Sequence, residues 1–317
     1  MRGVLVFTFC LLSLPAMQPA AADDRVSLNV ESQQVLAVPQ TTDGSPAAGR
    51  RVRQTSAEYA GTKVYHTLYL PESWTPEGPP LPIIFEYTGN YFPASGSTGE
   101  VKDAQLGYCL TGGQFIWVSL PYIKTGGQEN QVTWWGDTAA TIEYAKVNVP
   151  RILAQFNADR RTVLLCGFSR GAIGVNYLGL HDDEIAALWT GFISHDHFDG
   201  IRAWGRTEWG SPLKKYRREA AERLRRLGQR PYLVSHNGRG YGVVEFVEQT
   251  LGEDHRMEFL YTDSRKALGA FPNQWAKSSH TDAWAVKPSE DRQAAWQWIN
   301  RVVRESSAKS ASKQEGR

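Results

Sequence analysis

Ser169 stands in the run Gly167-Phe168-Ser169-Arg170-Gly171, with apolar residues 163–165 before it and a helix-forming stretch after it. A serine hydroxyl is a poor nucleophile until a base takes its proton, and G-x-S-x-G between a buried strand and a helix is the context that supports such activation. Glycine on each side of the serine leaves room for a sharp turn. The helix that follows presents free N–H groups and a partial positive charge beside the hydroxyl, so the Arg170 N–H is a candidate oxyanion donor for acyl transfer. The same residues can also be read as a glycine-rich turn with a helix-capping serine. The strand before and the helix after favour the nucleophile.

This arrangement resembles the α/β-hydrolase superfamily, over roughly residues 60–303. The resemblance implies the chain order serine, acid, histidine, with the histidine between the last strand and the last helix. His280, in Ser278-Ser279-His280-Thr281-Asp282, satisfies that order. His66 precedes the nucleophile, His181 lies at the far end of its helix, and His236 and His255 fall before the last strand. The acid is where the sequence departs from the commoner pattern. Many relatives carry an aspartate after the strand that here ends near Ser235, but this chain continues His236-Asn-Gly-Arg-Gly-Tyr-Gly-Val-Val-Glu245. The strand before it ends in His195-Asp196-His197-Phe198-Asp199, so Asp196 is the favoured acid, followed by Asp199 and then Glu245. By the same resemblance, the loop after strand 81–87 supplies a second oxyanion donor, from the N–H of Thr88, Gly89, Asn90 or Tyr91.

The His195, Asp196, His197 and Asp199 cluster also raises a metal reading, since nitrogen and oxygen ligands side by side can hold zinc. Alternate residues at a strand end point to opposite faces, and no helical H-E-x-x-H spacing exists, so the expectation is no metal and no cofactor. Trp134 and Trp135, just ahead of a predicted helix, and Tyr91 are candidate substrate contacts. Eleven tryptophans in 317 residues suit either an aromatic substrate face or a large core. A formal net charge of +2 calls for no nucleic-acid partner.

Residues 1–22 read as a secretory signal peptide: a basic Arg2, an apolar segment over 4–14 and Ala20-Ala21-Ala22. The apolar part is too short to span a bilayer, so the expectation is a secreted or periplasmic protein without a membrane span. Residues 23–56, rich in Pro, Gly and Arg, read as a leader or linker with one short strand over 26–35. Residues 304–317 read as a disordered tail. Cys109 and Cys166 would survive cleavage, and Cys166, at the end of the central strand, reads as a buried thiol rather than half of a disulfide.

Between them, residues 57–303 alternate strands and helices. Predicted strands cover 64–70, 81–87, 115–120, 162–166, 186–194, 232–235 and 257–261. A helix capped by Asp137 runs to 156 across Pro150, and others cover 169–180, 212–228, 243–251 and a stretch from 288. The helix over 212–228 has a basic outer face that reads as solvated. Short connections and apolar strands predict a single three-layer α/β domain around a doubly wound, mostly parallel sheet. The organisation resembles secreted esterases of the polyhydroxybutyrate-depolymerase, feruloyl-esterase and acetyl-xylan-esterase type, which implies a carboxylic-ester hydrolase acting on small or polymer-linked esters. A serine peptidase of prolyl-oligopeptidase type and a degenerate carbohydrate-binding protein of the same fold are the alternatives.

Overall fold

The computed structural model describes residues 26–238, 240 and 242–315; the expected signal peptide at 1–22 lies outside them. Among the described residues nine strands form one sheet in the order β1-β2-β3-β5-β4-β6-β7-β8-β9. They are β1 (Thr41–Thr42), β2 (Arg51–Gln54), β3 (His66–Tyr69), β4 (Leu81–Tyr87), β5 (Ile116–Leu120), β6 (Ala158–Phe168), β7 (Gly191–His195), β8 (Tyr232–Asn237) and β9 (Met257–Thr262). β3 pairs antiparallel with both β2 and β5, and every other pairing is parallel.

The central strands are apolar on both faces because both are covered. Phe85, Leu165, Phe192 and Val234 point into one core with α2 (Thr138–Gln155), α3 (Arg170–Tyr177), α4 (Asp183–Ala186), α5 (Leu213–Arg225) and α6 (Val243–Leu251). Their neighbours Ile84, Leu164, Ile193 and Leu233 point into a second core with α1 (Leu106–Thr111), α7 (Ser264–Leu268) and α8 (Glu290–Glu315). The period of two along each strand thus divides the interior into two layers, giving the predicted three-layer arrangement. Asp137 caps α2 through a bond from the Ala140 N–H (2.9 Å), and the helix runs on through Pro150. Cys109 and Cys166 are buried free thiols. No helix among the described residues is long and apolar enough to cross a membrane.

Three expectations are corrected. The segment read as a leader or linker is part of the domain. Leu28 exchanges two hydrogen bonds with the Asn300 side chain, each 2.9 Å, and the Leu36 N–H reaches the Val286 carbonyl. No strand forms over 26–35; strands lie at 41–42 and 51–54 instead, and in the second Arg51 turns inward over Trp117 (3.9 Å) and donates to the Val101 and Ala104 carbonyls. The strand expected over 186–194 is shorter and later, because Asp182 caps the one-turn helix α4 through the Glu184 and Ile185 N–H groups. From residue 304 the chain continues α8 to Glu315 rather than becoming disordered. Arg, Ser, Ala, Lys, Gln and Glu fill this stretch with no glycine or proline before Gly316, and Glu305 pairs with Arg256.

Asn300→Ala removes both partners of the Leu28 backbone at a buried site. It should lower unfolding free energy by about 2 kcal/mol in chemical denaturation and open residues 26–40 to limited proteolysis ahead of the sheet.

Candidate active site

The end of β6 meets the start of α3 in a turn with almost no free space. A Cβ on Gly167 would lie 2.2 Å from the Gly171 carbonyl oxygen, and one on Gly171 would lie 1.8 Å from that of Tyr87. Both positions therefore require glycine. Between them Ser169 is held at φ 54°, ψ −115°, a conformation that costs a non-glycine residue of order 1–3 kcal/mol and so must be fixed by its surroundings. Its N–H donates to the His195 carbonyl at the end of β7 (2.9 Å). That bond ties the two strand ends together and commits the Ser169 amide to the sheet.

His280 lies in the segment between β9 and α8, with its ring against Phe168 at a centroid distance of 4.7 Å. Its Nε2 is 2.9 Å from Ser169 Oγ, and its Nδ1 is 2.9 Å from Asp196 Oδ2. The hydrogen-bond network assigns the tautomer: Nδ1–H donates to the carboxylate and Nε2 accepts from the serine hydroxyl. Asp196 follows β7 directly at φ 69°, a left-handed turn that aspartate tolerates better than most residues. Its Oδ1 accepts from the Asn237 N–H (2.6 Å) at the end of β8. Burial opposes the charge on Asp196, but the neighbouring histidines and the bonds from His280 and Asn237 outweigh it and hold the carboxyl well below the ordinary carboxylate range.

Asp199, the other aspartate proposed as the acid, turns away. Its carboxylate is fully buried against the Arg223 guanidinium of α5, at 2.8 and 3.2 Å. Glu245 is exposed in the first turn of α6, and the partner position behind His280 is already taken by Asp196. Arg239 and Tyr241, in the loop that lacks an aspartate, lie outside the described residues. Of the four candidate metal ligands, Asp196, Asp199 and His195 are engaged by other groups. His195 Nδ1 lies 3.0 Å from Ser235 Oγ, and its Nε2 lies 3.1 Å from the Thr281 carbonyl. Among the described residues no three His, Cys, Asp or Glu side chains group to hold a metal ion.

His195, a candidate metal ligand by sequence, has a different part in the structure. Burial pushes its pKa down to about 4, so the ring is neutral, and Nε2–H donates to Thr281, the residue after His280. The strand that carries the acid thereby also anchors the segment that carries the histidine. No local pattern signals this, because the partner is 86 residues away.

The oxyanion candidates divide. Arg170 is the first residue of α3, where an N–H has no intrahelical acceptor. The Tyr91 N–H is spent on the Val132 carbonyl (2.8 Å), which removes it from the list and leaves Thr88, Gly89 and Asn90. The Asn90 side chain accepts from the Trp134 N–H (2.7 Å). The Arg170 side chain, which the motif does not specify, is buried under this loop. Its guanidinium donates to the Gly89 (2.9 Å), Gly99 (3.3 Å) and Trp134 (2.7 Å) carbonyls and sits 3.8 Å from the centroid of Tyr122. The residue after Ser169 therefore fastens the loop opposite it.

The expected aromatic contacts also separate. Trp135 is buried and stacks on Tyr177 (4.9 Å, 13°), so it is a packing residue and not a substrate platform. Trp134 is half-buried and packs edge-on against Trp204 and Trp209. Tyr91 is exposed. Trp204 and Trp209, in the loop between β7 and α5, carry no local sequence signal, because their wall forms only when that loop meets Trp134.

Removing one member of the buried Asp199–Arg223 pair leaves the other charge without its partner. Asp199→Asn should destabilise the fold by about 3 kcal/mol in urea titration.

No protein-family model matches the chain, and no curated protein matches it. Solved structures match at the level of architecture. A sugar hydrolase from Lactococcus lactis superposes with a TM-score of 0.53 at 12% identity, over 81% of this chain and 100% of that one. An S-formylglutathione hydrolase from Agrobacterium tumefaciens gives 0.50 at 15%, over 80% and 94%. A fungal esterase from Rhizomucor miehei gives 0.50 at 14%, over 84% and 87%. Identities this low speak to the fold, and the fold of this chain is that of the α/β-hydrolases.

Proposed function

We propose that this protein is a serine hydrolase of carboxylic esters. The observation that carries the reading is the continuous chain Asp196–His280–Ser169, with both links at 2.9 Å, built on a turn whose strain only a close-packed elbow sustains. Ser169 Oγ attacks the ester carbonyl while His280 Nε2 takes its proton. Asp196 holds the ring in the tautomer that leaves Nε2 free to accept, and its charge stabilises the imidazolium that forms. The negative oxygen of the tetrahedral intermediate turns to the Arg170 N–H and to one of the N–H groups of Thr88, Gly89 and Asn90. His280 then returns the proton to the leaving alcohol, and water releases the acyl group by the same steps in reverse. Solved proteins of like fold that are described as esterases support ester chemistry, and the sequence of residues 1–22 supports an exported enzyme.

Ser169→Ala should abolish hydrolysis of p-nitrophenyl acetate, with loss of several orders of magnitude in kcat, while the thermal midpoint stays close to that of the parent protein. Activity above about a tenth of the parent rate would remove Ser169 from the reaction.

The two aspartates should separate in kinetics. Asp196→Asn permits the wrong tautomer of His280 and should lower kcat by roughly 10²–10⁴ with little change in KM. Loss of kcat in Asp199→Asn at a temperature where that variant is folded, with Asp196→Asn active, would reverse the assignment.

Arg170→Met keeps the backbone N–H but frees the loop over 88–99. It should lower kcat by about 10-fold or more through a displaced oxyanion donor, measured on the same ester.

A further inference from the structure

A pocket of about 420 Å³ opens beside the catalytic chain, sharing Asp196 and His280 with it and bounded by the loop that joins β7 to α5. Its walls are of two kinds. Phe198, Ile201, Trp204 and Val243 supply an apolar body, and Arg202, His197 and His236 supply nitrogen. The charge balance inside is unusual. Asp196 is the carboxylate that lines the pocket, and both its oxygens are already engaged, one by His280 and the other by the Asn237 N–H. Burial pushes the His197 pKa down to about 3, so that ring is neutral. Arg202 keeps its charge, and its Cζ lies 4.0 Å from the centroid of the Trp204 ring. Among the described residues no carboxylate forms an ion pair with Arg202 and no carbonyl accepts from it, in contrast to Arg217 and Arg223 on the neighbouring helix. A guanidinium braced on an indole face, with its N–H fork unspent at the mouth of a pocket, suits a planar anion that it can bind through two parallel bonds.

We propose that this pocket is a substrate subsite for a carboxylate carried on an aromatic or otherwise apolar group, with Arg202 pairing to the carboxylate and Trp204 and its neighbours enclosing the apolar body. The inference rests on the hydrolase reading for its catalytic consequence, but not for binding. It makes the enzyme selective for esters whose acyl or alcohol half bears an acid. The neutral ring of His197 lines the pocket without adding a competing negative group.

The kinetic test compares 4-acetoxybenzoate with methyl 4-acetoxybenzoate, and 4-nitrophenyl hydrogen succinate with 4-nitrophenyl methyl succinate. These pairs place the carboxylate on the alcohol half and on the acyl half. In Arg202→Met the ratio of kcat/KM for charged over uncharged ester should fall by about 10- to 100-fold in at least one pair, the loss expected for a charge-assisted bidentate contact. Arg202→Lys should recover part of it. An unchanged ratio in both pairs would overturn the subsite. A binding test does not depend on turnover: in Ser169→Ala, calorimetry should give tighter binding of 4-acetoxybenzoate than of its methyl ester, and adding Arg202→Met should erase that preference. If the parent protein cleaves neither p-nitrophenyl acetate nor any of the four esters, the hydrolase reading falls, and the calorimetric preference alone then decides the subsite. Equal binding of the charged and uncharged probes would refute it.

Discussion

The site depends on one steric constraint, the contact between the backbone at Gly171 and the Tyr87 carbonyl. There is no room between them for even a methyl group. That contact sets how near the loop after β4 comes to the turn at Ser169. It also holds Ser169 in a conformation that the chain would otherwise leave. Strain of this size persists only where several neighbours fix it together. Here they are the Gly167 contact with Gly171, the bond from the Ser169 amide to β7, and the Arg170 guanidinium gathered under Gly89 and Gly99.

The histidine reaches the serine by a longer route, and the sheet shortens it. β7 ends in the neutral His195 that holds Thr281, and Asp196, which bonds His280, follows it directly. One strand end therefore sets both the orienting charge and the height of the segment that bears His280. Asn237, at the end of the next strand, closes the arrangement by binding the second oxygen of Asp196. The geometry is thus set by backbone positions at three parallel strand ends, which a parallel sheet keeps in fixed register.

What could be read from the sequence was local. Gly167, Ser169 and Gly171 declare their turn through residue type, and His280 follows from chain order once the superfamily resemblance is in hand. The aspartates mark where this stops. Asp196 and Asp199 are three residues apart, and only the left-handed turn at Asp196 and the presence of Arg223, 24 residues on, decide which faces the histidine. Trp134 and Trp135 are adjacent, yet one joins the aromatic wall and the other the core, a division set by the positive φ of Trp134. The early segment misled for the same reason. Its prolines, glycines and arginines look solvated, while what makes it structural is an asparagine at position 300 and a tryptophan at position 117.

The long reach between Leu28 and Asn300 bears on the order in which the molecule can be completed. The two residues are 272 positions apart, among the largest separations the chain allows, and Ser32 and Gln34 likewise wait for Arg292. During synthesis the bonds that this segment makes to Asn300 and Arg292 wait until the last helix has emerged. The sheet can form around β4, β5 and β6 before that, since all three strands lie within residues 81–168, but the outer layer containing α8 stays unfinished. Closure of the fold is therefore a late, whole-chain event. A chain lacking α8 would expose the apolar face of the sheet beneath Ile299 and Val302.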